Sequence, residues 1–430
     1  MPAGRTPSTS RASDGAGSAA RPRLLLLIPT TTYRTEDFVE AALRLGVDLV
    51  IASDEPSTLA EAFPDHLLAL PFADPAAAAA AMRGYAERRP LDAVVPVDDA
   101  TVVAGAAIAE ALGLRANPVA AARATRNKLA MRRRLAEAGV PGPAFAAVRL
   151  DEDPEGAAAR ARYPCVLKPL VLSASRGVIR ADDPPAFVAA VRRIAAILAE
   201  PEVAALGEGT DTLLVEDFVP GAEVALEGLL EDGRLETLAI FDKPDPLDGP
   251  YFEETIYVTP SRLPAAAQAA VRGVTADAAR ALGLRHGPLH AELRWSAAGG
   301  PAVIEIAARS IGGLCSRTLT FGTGLTLEEI ILAQALGRPT GSLVRERRAA
   351  GVMMIPIPRG GVLEDVKGLE AARAVPGIED VTITMHKGQT VVPLPEGSRY
   401  LGFIFSRAET PAEAEAALRD AHRRLAFTIR

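Results

Sequence analysis

Leu289–Arg309 reads LHAELRWSAAGGPAVIEIAAR. Leu289, Ala291 and Leu293 alternate with His290, Glu292 and Arg294, the period of a half-buried strand. In a second run Ile304, Ile306 and Ala308 share one face, and Val303, Glu305, Ala307 and Arg309 share the other. Between them Ser296, Gly299, Gly300 and Pro301 supply turn chemistry, so the two runs form a hairpin. Closure about Ala298 and Gly299 sets Glu292 directly opposite Glu305. Directly paired Cβ atoms lie ~5 Å apart, and like charges there destabilise the pair. A hard divalent cation removes the conflict, because Mg²⁺ takes oxygen donors from one or two carboxylates and from substrate phosphates. Taken alone, the same residues also fit the solvated face of a surface hairpin.

At 430 residues the chain exceeds one core, and two or three domains are expected. Its 49% hydrophobic and 23% charged residues are those of an ordinary soluble globular protein. A net charge of -7 argues against nucleic-acid binding. The basic run Arg132-Arg133-Arg134 continues a helical pattern and is read as a solvated face. Two cysteines, Cys165 and Cys315, exclude a disulfide framework and a cysteine zinc site, and a reducing cytoplasm is the expected compartment. Apolar runs such as Leu24–Ile28 are far too short to cross a membrane. Residues 1–22 are rich in Ser, Ala, Gly and Arg, with Asp14 the single acid. They read as a disordered tail; a transit peptide and a misassigned start share that composition.

Strands at 24–28, 48–52 and 91–97 alternate with helices at 35–45, 76–88 and 98–112, which implies a doubly wound parallel sheet over residues 23–116. The first loop, Thr30–Tyr33, lacks the glycine pattern of a dinucleotide site. A helix opening at Thr125–Lys128 runs to Ala138, followed by Gly139, Pro141 and Pro143. Tyr163–Pro169 is a strand ending in Lys168-Pro169, with the small-residue loop Ser173-Ala174-Ser175-Arg176-Gly177 after it. Thr212–Val219, Glu223–Leu230 and Leu235–Phe241 are strands, and Asp242–Tyr251 is too rich in Pro, Gly and Asp to be other than a functional loop. Residues 341–430 mix short strands with two helices, a small α+β module.

No Walker-type phosphate loop is present. Lys128 begins a helix and Lys168 ends a strand, each a point charge able to meet a phosphate. The backbone of Ser173–Gly177 can approach another, since its residues are small. Singly, each lysine is a surface residue and the loop a mobile connection. The order is what carries information: lysine, Lys-Pro with a small-residue loop, Glu216-Asp217-Phe218-Val219, Glu223, then paired acids.

That order resembles the ATP-grasp superfamily from Asn117 to Gly337, on the segments RNKLAMRRRLAEAGVPGP, YPCVLKPLVLSASRGV, LLVEDFVPGAEV, HAELR and VIEIAARSIGG. The resemblance implies ATP held between two α+β subdomains within residues 117–340. It implies Lys128 and Lys168 on phosphates, and Ser173, Ser175, Arg176 and Gly177 in a lid. Glu216, Asp217, Phe218 and Val219 would face adenine, Glu223 the ribose, and Glu292 and Glu305 would bind Mg²⁺, with Mn²⁺ a substitute. Arg309 would steady the transferred phosphoryl group. Residues 23–116 look like the family's preceding domain, and the tail resembles the C-terminal module of L-amino acid ligases and, more distantly, of biotin carboxylases. One position departs: many members carry Asn two residues after the second acid, where this chain has Ala307.

The expected activity is a carboxylate–amine ligase working through an acyl phosphate on small carboxylate and amine substrates, amino acids foremost. Neither membrane nor nucleic acid is an expected partner, and a homodimer is compatible with the resemblance. Glu253 and Glu254 are candidates for a substrate ammonium, and Arg309 with the Gly312-Gly313 backbone for a carboxylate; solvated loop acids are the equal alternative for the first pair. His290 is read as structural and Cys315 as a packed thiol. The competing functions are a carboxylating or purine-pathway ligase of the same superfamily, and a nucleotide-binding subunit without catalysis.

Overall fold

The computed structural model describes residues 21–322 and 324–430; the tail expected at 1–22 lies, through residue 20, outside them. The first unit is a parallel sheet ordered Leu67–Ala69, Asp48–Ser53, Arg23–Leu27, Ala93–Pro96. Its central strand is apolar after Arg23 because both faces are covered. Leu24 and Leu26 pack with Phe38 and Ala41, while Leu25 and Leu27 pack with Ala78, Met82 and Ile108. Gly113, at φ +66, ends the helix Val102–Leu112 in the left-handed conformation. The helix expected to open at Thr125 is two helices. Val119–Arg126 precedes Lys128–Glu137, and the Asn127 side chain accepts from Leu129 N and Ala130 N between them.

A small antiparallel sheet, ordered Phe145–Arg149, Thr212–Asp217, Cys165–Pro169, Ile179–Ala181, has its own core beneath the helices Pro154–Arg160 and Pro184–Leu198. Beside it lies an eight-stranded antiparallel sheet. Its order is Gly300–Ala307, Gly287–Ser296, Ala222–Glu231, Arg234–Lys243, Ile256–Thr259, Ala349–Ile355, Gly402–Ala408, Ile378–Ile383. The strands after Gly341 thus extend this sheet. One apolar core joins Leu24, Phe241, Val352 and Phe403, so the first unit, the large sheet and the C-terminal strands are packed as one body. Only Thr390–Val391, Gly361–Lys367 and Ala426–Ile429 form a sheet of their own. The fold is that of the expected α/β and α+β assembly.

The hairpin is Gly287–Ser296 paired with Gly300–Ala307, and Glu292 is the partner of Glu305. The route to that pairing differs from symmetric closure. The turn closes one residue tighter, with Ser296 on Gly300, and a β-bulge between Glu292 and Leu293 restores the register. Ile304 is the unpaired residue. The face assignment changes accordingly: Val303 and Ile306 enter the core, while Ile304 joins Glu305 on the cavity side. On the first strand Leu289, Ala291 and Leu293 face the core and His290, Glu292 and Arg294 the cavity, as their alternation requires.

Candidate active site

The two sheets and the first unit enclose a cavity of about 460 Å³, within the ~300–1,000 Å³ range of small-molecule sites. Its hairpin wall is fixed from behind by Arg132. The guanidinium is buried and donates from Nη1 to Val303 O (2.7 Å) and from Nη2 to Ile304 O (2.7 Å), the carbonyls of the bulge. Its Nε donates to Glu216 Oε1 (2.6 Å). Glu216 Oε2 in turn lies 2.6 Å from Lys168 Nζ. This corrects the reading of Arg132-Arg133-Arg134 as a solvated face: Arg133 is exposed, but Arg132 is inside. The helical period places 132 with Met131 and Leu135 against the core, and a charge is tolerated there because each of its three nitrogens donates a hydrogen bond and Glu216 supplies the opposite charge.

Glu305 receives Lys128 Nζ at 3.1 Å, and the same ammonium donates to Leu172 O at 2.9 Å. Glu292 lies 3.5 Å from Lys243 Nζ and 3.5 Å from His290 Nε2. Burial opposes ionisation of Glu292, but Lys243 and His290 outweigh it and hold the carboxyl well below its usual range. Burial likewise opposes the His290 cation. The hydrogen bonds with Glu227 (3.1 Å) and Glu292 prevail and push its pKa up to about 9, so both ring nitrogens carry protons and the ring orients Glu292. Lys243 is buried among three carboxylates: Glu223 at 2.8 Å, Glu254 in closer contact, and Glu292. Arg294 also meets Glu223 and His290 also meets Glu292, which leaves Glu254 with only its share of Lys243. Burial first, then the charges of Glu292 and Glu223, push Glu254 up to about 7.

The donor chemistry suits a hard cation between Glu292 and Glu305: opposed carboxylates on one wall, each reaching the cavity. Ala307, paired with His290 and buried, offers no further ligand. A second acidic trio, Glu223, Glu254 and Glu292, has carboxylate oxygens within 4.8 Å of one another. Lys243 touches all three, and its ammonium takes the place a metal would have there.

The first unit contributes more than packing. Asp99 Oδ2 lies 2.8 Å from Arg309 Nη2 and accepts from Ser173 Oγ at 3.1 Å. Burial raises the cost of its charge, but Arg309 and Arg126 keep it ionised far below the usual carboxylate range. Thr31, Thr32 and Tyr33 of the first loop also line the cavity. Asp98 and Asp99 begin the helical segment expected at 98–112; their position after the strand Ala93–Pro96, at the carboxyl edge of a parallel sheet, is the signal for a site. Lys243 was hidden because Asp242 onward reads as loop, whereas the strand continues through Lys243. Arg294 shares a face with Glu292 and donates to Glu223 Oε2 at 2.8 Å.

The cavity brings together Lys128, Lys168, Ser173, Ser175, Phe218, Val219, Glu223, Glu254, Glu292, Glu305, Arg309, Gly312 and Gly313. Five expected contacts do not line it. Glu216 turns its carboxylate inward to Lys168 and Arg132. Asp217, next along the strand, points the opposite way and meets Arg162 at 2.5 Å. Arg176 turns from the loop to Glu200 and Glu396 O, and Gly177 N donates to Pro395 O. Glu253 faces the backbone of Ile357, and burial raises its pKa. Cys315 is buried with its thiol pKa pushed far up by burial, as a packed thiol should be. His286 lies against Arg115 on another surface.

Three family profiles match the chain: an ATP-grasp N-terminal domain over residues 39–115, an ATP-grasp domain over 161–318, and L-amino acid ligase C-terminal domain 2 over 353–430. The crystal structure of an L-amino acid ligase from Bacillus licheniformis superposes with a TM-score of 0.81 at 29% identity, covering 95% of this chain and 99% of that one. Alanine–anticapsin ligase of Bacillus subtilis is 27% identical over 253 residues, 56% of this chain and 53% of that protein. Carnosine synthase 1 of Gallus gallus is 37% identical over 174 residues, 38% of this chain and 18% of that protein. The chain thus spans about half the length of the first of these curated relatives and less than a fifth of the second. Among the described residues, no helix is long and apolar enough to cross a membrane.

Proposed function

The chain belongs to the ATP-grasp superfamily, and from that premise we propose that it is an ATP-dependent carboxylate–amine ligase. A carboxylate oxygen attacks the γ-phosphorus of ATP, and the bond to ADP breaks. The amine nitrogen then attacks the acyl carbon of the resulting acyl phosphate. The carbon–oxygen bond to phosphate breaks, the nitrogen loses a proton, and an amide, ADP and phosphate remain.

The observation that carries the reading is the convergence on one cavity of Lys128, Lys168, the opposed pair Glu292 and Glu305, and Arg309. In-line phosphoryl transfer needs positioning and charge stabilisation more than covalent help. Lys128 and Lys168 take phosphate oxygens; the loop Ser173–Gly177 covers them, with Ser173 and Ser175 facing in. Phe218 and Val219 meet the adenine and Glu223 the ribose. Arg309, aimed by Asp99, takes the oxygens of the transferred phosphoryl group. The Gly312-Gly313 backbone holds a substrate carboxylate and Glu254 an ammonium. Mg²⁺ or Mn²⁺ on Glu292 and Glu305 would supply charge neutralisation on the phosphates. Amino acids are the substrate class, supported by the names of the relatives and by the C-terminal profile, and the compartment is the cytoplasm.

ADP release measured across pairs of amino acids tests this, with amide product expected for particular pairs. Turnover that depends on bicarbonate in place of an amine would make the protein a carboxylating relative. ATP binding without turnover on any pair would make it a non-catalytic subunit.

A further inference from the structure

The loop over the cavity is under backbone strain. Ala174 and Ser175 have φ of 54 and 55, left-handed values that side chains avoid. Such residues persist where surrounding structure determines them. Asp99 holds the loop's start at Ser173 and Glu200 pairs with Arg176, and its far end is held from outside the small sheet by a strap of chain at residues 394–400. Gly177 N donates to Pro395 O at 2.8 Å, and Arg176 Nε donates to Glu396 O at 2.7 Å. The Glu396 carboxylate also takes both arms of Arg193, at 2.5 and 2.9 Å. Arg193 belongs to the helix Pro184–Leu198 of the small sheet's subdomain and lies over the Tyr251 ring, 5.1 Å from its centroid. Glu396 therefore holds the loop by its carbonyl and the helix by its side chain.

The strap then enters the cavity, where Ser398 and Tyr400 form part of the wall. Tyr400 packs on Phe403 at 6.2 Å between centroids, and Phe403 sits so close to Gly313 that a Cβ there would lie 2.8 Å from its ring. One short segment thus touches the loop directly and reaches the Gly312-Gly313 side through Phe403.

We propose that Glu396 is a positioning residue for the nucleotide: through Arg176 and Arg193 the strap 394–400 holds the loop 173–177 down, and through Phe403 the same strap couples the Gly312-Gly313 side, which holds the phosphoryl-acceptor carboxylate, to ATP. The proposal rests on the reading that this loop covers ATP. Coupling of this kind is reciprocal, so an occupied acceptor side tightens nucleotide binding by the factor that nucleotide tightens the acceptor.

The test uses the full chain with Mg²⁺ and the non-hydrolysable analogue AMP-PNP, measuring affinity by calorimetry and hydrogen exchange over residues 171–178. Glu396→Ala is expected to weaken AMP-PNP about threefold, the effect of losing one half-exposed paired charge, and to speed exchange of the loop. Glu396→Asp should recover part of both. Arg193→Ala combined with Glu396→Ala should be no worse than either alone. A purely structural role would lower the melting temperature while leaving affinity and loop exchange unchanged, and that result overturns the proposal. So does a wild-type chain that fails to bind AMP-PNP. Absence of amide product from amino-acid pairs, with these binding results intact, would instead remove the ligase reading alone.

Discussion

Arg132→Met replaces the buried guanidinium with an apolar chain of similar length and removes three hydrogen bonds, at 2.6, 2.7 and 2.7 Å. Breaking a buried ion pair by removing one partner costs ~3–5 kcal/mol. Lys168 remains 2.6 Å from Glu216, which places this loss at the lower end, about 3 kcal/mol. The bulge carbonyls of Val303 and Ile304 are left without their donor, each adding at least ~1 kcal/mol. The sum, about 5 kcal/mol, is comparable with the whole ~5–15 kcal/mol stability of a folded domain. Trp295, the chain's single tryptophan, lies in this hairpin opposite Pro301, so urea unfolding followed by its fluorescence reads the damage where it occurs. The midpoint should fall sharply. Arg132→Lys should recover part of it, since an ammonium keeps the charge beside Glu216 but cannot span both carbonyls. Arg133→Ala, at the exposed neighbour, should stay within ~0.5 kcal/mol of wild type. If Arg132→Met and Arg133→Ala unfold at the same urea concentration, the clamp on the bulge is refuted.

Glu305→Gln keeps the shape of the wall and removes the charge that Lys128 meets. Turnover should drop ~10²–10³-fold with a loss of no more than ~1 kcal/mol in the urea assay, since an amide oxygen still accepts from Lys128 at this part-exposed pair, and near-normal ADP release would refute the metal assignment. Gly313→Ala forces a side chain into φ +60 and brings a methyl to 2.8 Å from Phe403 Cε1. It should cost ~2–3 kcal/mol in the same unfolding assay, and an unchanged midpoint would contradict the close packing. Chelation of divalent ions should stop turnover without lowering the midpoint of the nucleotide-free protein. Lys128, Lys243 and His290 already balance the two glutamates, and a lower midpoint in chelator would show that this balance is insufficient.

The parts of the site that were legible in the sequence are those written at period two or at a boundary. His290, Glu292 and Arg294 share a face by alternation alone, and Lys168 is marked by the strand it ends. The parts that were not legible depend on chain segments far apart. Arg132 reads as one of three solvated arginines until Val303 and Ile304 present their carbonyls from 171 and 172 positions away. Asp99 reads as a cap until Arg309 arrives from 210 positions away. Arg176 and Gly177 read as nucleotide contacts because a small-residue loop has no orientation of its own. Their donors face the strap at 395–396, leaving Ser173 and Ser175 to face the cavity.

By itself, the sequence determined the alternation of strands and helices, the order of lysines, loop and acids, and the shared face of His290, Glu292 and Arg294. These follow from local spacing, which a strand or helix turns directly into geometry. Tertiary structure alone set Glu292 opposite Glu305, through a bulge at Ile304 held by a buried arginine. It also decided which charges neutralise the pair and which carbonyl or carboxylate each lid residue faces. Those outcomes depend on where a buried charge finds its partner. An uncompensated charge inside the fold costs more than most other interactions contribute, so the partner is set by the packing of the whole chain.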